Sequence, residues 1–172
     1  MTEVIVSVVV FGLMLIEAGR AARNEQAQRA RGGVEPDGDV YRIMRIAYPA
    51  CFLAMMGEGW LRGTPRLAVF VAGAIAFALA KGLKWWAILS LGPRWTFRVI
   101  VVPGDSRVVS GPYLYLRHPN YVGVIGELVG VAGMTGAILS GALAVLGFGG
   151  LLVRRIAIEE CALEATVVPP RT

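Results

Sequence analysis

Leu67-Ala-Val-Phe-Val-Ala-Gly-Ala-Ile-Ala-Phe-Ala-Leu-Ala-Lys-Gly-Leu-Lys-Trp-Trp-Ala-Ile-Leu-Ser-Leu91 decides the architecture. Residues 67 to 80 carry no charge, and a helix needs roughly 20 largely apolar residues to cross a bilayer. Lys81, Lys84, Trp85 and Trp86 then arrive together, as an interfacial belt does, or as residues facing an interior site do. Ala68, Ala72, Ala76 and Ala80 recur every fourth residue, a stripe expected to let a neighbouring helix approach closely.

Outward from this run, the chain repeats the pattern. Val4 to Gly19 is apolar apart from Ser7 and Glu17, and the helix continues as Arg20 to Arg31 until Gly32-Gly33 stops it. A run at 43–61 carries Pro49 and Glu58, with Trp60 and Arg62 as anchors. Tyr121 to Leu152 is too long for one crossing and breaks near Thr135-Gly136 or Ser140-Gly141, which makes a hairpin. Its Gly123, Gly126, Gly130 and Gly133 permit close packing. Glu127 lies inside it, where a carboxylate must face protein or a watery cavity. The expected fold is all-α, a polytopic membrane protein of about five transmembrane helices at about 4–19, 43–61, 67–91, 121–135 and 138–153. The last two form the C-terminal helical hairpin. Residues 1–172 form one membrane domain, with site segments at 92–120 and 154–166; within the first, Phe97 to Val102 has strand character.

Composition agrees. Of 172 residues, 56% are hydrophobic and 17% charged, with a mean hydropathy of +0.62. The net charge of +5 does not mark a nucleic-acid partner, because the basic residues flank apolar runs and form no separate basic domain. Cys51 and Cys161 supply neither a disulfide framework nor a metal spacing, so no metal is expected. Met-Thr-Glu lacks a basic n-region, so the first run is expected to be retained and not cleaved.

The basic residues also orient the chain. Arg20, Arg23, Arg29, Arg31, Arg42 and Arg45 fall in the first loop; Lys81, Lys84, Arg94, Arg98, Arg107 and Arg117 in the third; Arg154, Arg155 and Arg171 at the end; Arg62 and Arg66 alone on the other side. The positive-inside rule places the N-terminus outside and the C-terminus in the cytosol. Lys84, the Arg117–Tyr121 stretch and the Arg154–Glu160 tail then share one membrane face. The Ala/Gly/Arg-rich composition points to a prokaryotic cell membrane, with the site facing the cytosol.

On that face, Gly111-Pro-Tyr-Leu-Tyr-Leu-Arg-His-Pro-Asn-Tyr121 holds the chain's one histidine. Two prolines seven apart forbid a continuous helix and force a bend. Arg117-His-Pro-Asn-Tyr121, the glycine-rich hairpin, and Glu159-Glu160 after Arg154-Arg155 together resemble the Arg-His-Pro-x-Tyr and Glu-Glu pattern of the isoprenylcysteine carboxyl methyltransferase family. Lys84 to Gly92 and Ser110 to Tyr113 resemble its run-up, so the likeness covers Lys81 to Glu164.

The resemblance implies an integral membrane methyltransferase using S-adenosyl-L-methionine. It carries His118 and Tyr121 to the cofactor pocket, with Arg117 and Asn120 beside them, and Glu159 and Glu160 to its polar groups. Arg154 or Arg155 falls to the cofactor end or the acceptor's charged group. Lys84 stands where the family often has arginine. The acceptor is a small lipophilic molecule from the bilayer, an isoprenoid or other lipid bearing a carboxylate, phenol or thiol, and membrane lipids surround the protein. A carboxylate needs no base; a phenol or thiol does, and His118 and Glu127 are the nearby candidates.

Plainer roles exist for the same residues: His118 as a helix-entry cap, Glu159-Glu160 as a solvated face, Glu127 as a packing hydrogen bond. Two other functions compete. The C-terminal signature also occurs in lipid and sterol reductases using NADPH, on longer chains, and a catalytically silent scaffold is the third class. Family members continue past the Glu pair, whereas here Ala165 to Thr172 follows. The expectation is a site without that closing tail, or one closed by a second subunit of a homo-oligomer.

Overall fold

The structure, a computed structural model, describes residues 2–166; the tail from Val167 to Thr172, with Arg171, lies outside the described residues. Five helices follow in order: α1 Thr2–Ala30, α2 Tyr41–Arg62, α3 Leu67–Leu91, α4 Pro119–Thr135 and α5 Leu139–Thr166. Among the described residues there is no strand. The segment expected to have strand character contributes one antiparallel bridge, Val101 with Val34, because both partners are single residues of loops with no room to extend a ladder.

Three stretches, Glu3–Ala30, Leu67–Arg94 and Leu139–Ala165, are helical, long and apolar enough to cross a membrane. This is an integral membrane protein. Exposed Leu15, Leu53, Leu79 and Leu146 lie on helix faces turned outward, where hydrocarbon and not water is the matching solvent.

The closest pair is α3 with α4, and it runs antiparallel along glycines. A Cβ on Gly130 would lie 2.6 Å from the Phe77 nitrogen, one on Gly73 2.5 Å from the Met134 nitrogen, and one on Gly123 2.8 Å from the Lys84 Cβ. The α3 face in this seam is Gly73, Phe77, Ala80, Lys84, Ala87 and Ile88. The expected alanine stripe is therefore corrected: Ala68 and Ala72 are exposed, because the buried face follows steps of three and four residues and a strict four-residue row drifts off it.

The remaining helices alternate in direction. Ser7 near the start of α1 donates to Met56 Sδ near the end of α2. Glu58, in the last turn of α2, accepts from the Ile138, Leu139 and Ser140 nitrogens and from Ser140 Oγ. It caps the start of α5 in trans, satisfying donors that a helix N-terminus leaves without partners. Gly136, left-handed at φ 67°, makes the turn between α4 and α5, as the expected break at Thr135-Gly136 requires. Phe52, Met55, Leu128, Val131 and Phe148 fill the middle.

The end of α1, the start of α2, the end of α3, the start of α4 and the end of α5 thus meet at one end of the bundle. Asn24 donates to the Gly92 and Trp95 carbonyls and Gln28 to that of Pro93, binding α1 to the segment after α3. The loops gathered here are those the basic residues had grouped.

Candidate functional site

Pro119 begins α4 at the position where a missing N–H costs nothing, and His118 precedes it without using its side chain as a cap. The imidazole is free to turn toward α5. Its Nε2 lies 3.0 Å from Glu160 Oε1, and its ring stacks on Tyr121 with centroids 5.5 Å apart. Tyr121 donates its phenolic proton to Glu159 Oε2 and accepts from Arg155 Nε at 3.0 Å. Arg155 is almost wholly buried; its other two nitrogens donate to Asp39 Oδ1 and the Phe97 carbonyl. Each side chain fixes the next, from the loop after α1 through α5 to the head of α4.

The backbone before this point is held as tightly. Gly111 has φ +60°, and a Cβ there would fall 2.1 Å from Ser90 Oγ, so only glycine lets the segment turn in against α3. Asn120 Oδ1 accepts from Trp95 Nε1 at 3.1 Å. The Tyr113 phenol is pushed well above its ordinary value by burial and by the charge of Glu159. Glu160 is held below the ordinary carboxylate range, chiefly by its hydrogen bond with His118.

These groups stand on the wall of a cavity of about 680 Å³, within the range of small-molecule sites. Arg117, His118, Asn120, Tyr121, Arg155, Glu159 and Glu160 all line it. The segment Trp95 to Val102 covers one side, with Asp105 to Val109. Inward, Tyr48, Val124, Phe148 and Leu152 continue the cavity between the helices, and Glu17 and Lys84 stand on the same wall.

Two expected site residues are elsewhere. Arg154 is exposed on α5 and does not line the cavity. Glu127 is buried behind the wall, where Tyr48 donates to its Oε2 at 2.6 Å. Lys81 and Lys84 approach its Oε1 to 2.9 and 3.2 Å, and the same two lysines lie 2.9 and 2.7 Å from Glu17. Two acids and two bases are closed on one another there.

Asp39, Glu17 and Tyr48 were not foreseen. Asp39 accepts from the Tyr41 and Val99 nitrogens as well as Arg155. For Glu17 a signal existed: four ionisable residues on three apolar runs at matching depth cannot remain unpaired. Of the other cations on the wall, Arg94 is tied to Asp105 and Arg98 to Glu25 and Glu35, while Arg45, Arg107 and Arg117 are exposed. The cavity therefore presents carboxylates, exposed arginines and aromatic faces at its loop end and a largely apolar interior with Glu17 and Lys84 on its wall, a setting for a polar charged ligand beside an apolar one.

The sequence model of the "Isoprenylcysteine carboxyl methyltransferase (ICMT) family" matches residues 72–165. The chain is 29% identical over 148 residues to "Uncharacterized protein YpbQ" of Bacillus subtilis (strain 168), covering 86% of this chain and 88% of that one. It is 25% identical over 111 residues to an "Uncharacterized protein" of Haemophilus influenzae (strain ATCC 51907 / DSM 11121 / KW20 / Rd), covering 64% of each. No solved structure matches it.

Proposed function

Since the chain belongs to the isoprenylcysteine carboxyl methyltransferase family, we propose that it is a membrane methyltransferase that uses S-adenosyl-L-methionine and accepts a small lipophilic molecule from the bilayer. One observation carries this reading: Glu159 and Glu160 on α5 reach Tyr121 and His118 at the head of α4 on the wall of a cavity that continues between the helices.

The donor set fits that cofactor. Its ammonium and ribose hydroxyls call for carboxylates, its carboxylate for cations, its adenine for an aromatic or apolar face. Glu159 and Glu160 supply the first, exposed Arg107 and Arg117 the second, and His118, Tyr121 and Trp95 the third. When bound, the cofactor supplies a methyl group already activated by a sulfonium. The protein's task is to align the acceptor and exclude water. Arg155 and Asn120, engaged with Asp39 and Trp95, hold that wall in position. Arg154, on the outward side, is left to lipid headgroups.

In this reading all five helices cross the bilayer, the N-terminus lies outside, and residues 92–120 and 154–166 face the cytosol. The acceptor enters between the helices, its apolar body against Val124, Phe148 and Leu152.

Calorimetry in detergent tests the proposal. S-adenosylhomocysteine should bind, and His118→Ala and Glu159→Ala should each weaken it by about tenfold or more, the worth of one hydrogen bond to a charged group. Binding of NADPH in its place would sink the reading in favour of a reductase. Binding of neither would leave a scaffold.

A further inference from the structure

The inner end of the cavity carries polar groups that holding the cofactor does not use. Glu17 from α1 and Lys84 from α3 stand on its wall with Tyr48 from α2, and Lys81 and Glu127 complete a closed group behind them. Side-chain exposures of 1% for Glu17 and 3% for Lys84 and Glu127 mean that nearly all their hydration has been given up. Charged groups inside a membrane protein are retained against that loss where they serve the site.

Charge arithmetic restricts what this wall accepts. Two lysines face two carboxylates, so the group is neutral and has no cation to spare. The other cations on the cavity wall are tied to carboxylates, as Arg94, Arg98 and Arg155 are, or exposed, as Arg45, Arg107 and Arg117 are. An anionic acceptor head brought against the inner wall would meet the Glu17 carboxylate without an unpaired partner. A neutral hydroxyl meets an acceptor with capacity left. A carboxylate offers about four lone-pair positions, and Glu17 uses one on each oxygen, toward Lys81 and Lys84.

We propose, building on the methyltransferase reading, that the acceptor is a weakly acidic hydroxyl of the phenol class on an apolar body, and that Glu17 takes its proton. The hydroxyl oxygen forms the new bond to the methyl carbon, leaves the old bond's electron pair on the donor's sulfur, and gives its proton to a Glu17 oxygen. The proton passes to water once the methyl ether has left. Glu17 is the catalytic residue here. Lys84, Lys81 and Glu127, with the Tyr48 hydroxyl on Glu127, are positioning residues that hold the carboxylate in place.

Glu17→Gln alone strands a buried lysine, so the test uses the charge-balanced pair Glu17→Gln with Lys81→Met beside it. Purified protein in detergent is given S-adenosyl-L-methionine with 4-dodecylphenol or dodecanoic acid. Calorimetry without cofactor reads binding of each probe. Wild-type protein should bind and methylate dodecylphenol in preference to dodecanoate. The paired variant should keep its affinity for S-adenosylhomocysteine and for dodecylphenol, while its rate of dodecylphenol methylation falls about 100-fold or more, the scale of one general base.

Preference for dodecanoate, no binding of dodecylphenol, an unchanged rate in the paired variant, or a loss of dodecylphenol binding equal to the loss of rate would overturn the proposal and leave the methyltransferase reading standing. Failure of wild-type protein to bind S-adenosylhomocysteine would overturn that reading itself.

Discussion

Arg155 Nη1 on α5 and Asp39 Oδ1 in the loop after α1 lie 2.9 Å apart, with only 6% and 4% of their side chains exposed. The pair joins residues 116 apart in sequence, and Arg155 also donates to Tyr121 and the Phe97 carbonyl. Removing one partner leaves a buried charge uncompensated, which typically destabilises by about 3–5 kcal/mol. Asp39→Ala is expected to lower the melting temperature in detergent steeply. Asp39→Leu with Arg155→Leu should recover part of that loss, while S-adenosylhomocysteine affinity stays low because Tyr121 is no longer held. If the double variant melts no higher than Asp39→Ala, the pair is not the source of the effect.

The seam between α3 and α4 sets a second expectation. A Cβ on Gly130 would fall 2.6 and 2.7 Å from Phe77 backbone atoms, whereas one on Gly82 meets nothing within 4 Å. Backbone cannot yield as a side-chain tip can, so Gly130→Ala should destabilise by about 1–3 kcal/mol, the range for overpacking. Gly82→Ala should be neutral or gain up to about 1 kcal/mol from helix propensity. Thermal melts of the two variants side by side decide it; equal effects would mean that the helices are not in contact along this face.

Sequence made the helices legible because apolar length and glycine placement act locally. Four residues of the site, His118, Tyr121, Glu159 and Glu160, could be named because each pair is close in sequence and follows a recognisable pattern. Asp39 could not, since its partners Val99 and Arg155 lie 60 and 116 residues away and an aspartate in a Pro/Gly loop reads as a turn residue. Glu127 was legible as a buried carboxylate but not as one closed off by Lys81 and Lys84, because that depends on the rotation of α3 against α4. The misplaced alanine stripe arose from the same unknown angle.

Glu58 supplies a third test. It accepts three backbone N–H bonds and one hydroxyl bond at the start of α5, and pairs with Arg62 at 2.9 Å. Those N–H groups have no acceptor within their own helix. Glu58→Ala should fray the first turn of α5, lowering the melting temperature less than Asp39→Ala does, and speeding amide exchange at Leu139 and Ser140 with Asn24 and Gln28 contacts untouched. Unchanged exchange at those two amides would show that water caps the helix equally well.

The loop wall of the cavity is strapped by Asp105, which accepts from Arg94 Nη2 at 2.6 Å and lies 3.3 Å from Arg31. Hydrogen bonding to Arg94 holds its carboxyl below the ordinary value of 3.8, against the opposing effect of burial. A depressed folded value means the strap's contribution is complete above about pH 3.8 and is lost as pH falls through the folded value. Arg94→Met should therefore raise the Asp105 titration toward 3.8, read from its carboxyl carbon resonance, and should loosen residues 95–109 at neutral pH. The pair is partly exposed, so salt also weakens it. Limited proteolysis at neutral pH should cut the Arg94→Met loop faster than wild type, and high salt should narrow that difference. If Asp105 titrates in the variant where it does in wild type, Arg31 alone holds it, and the strap runs to α1 and not across the loop.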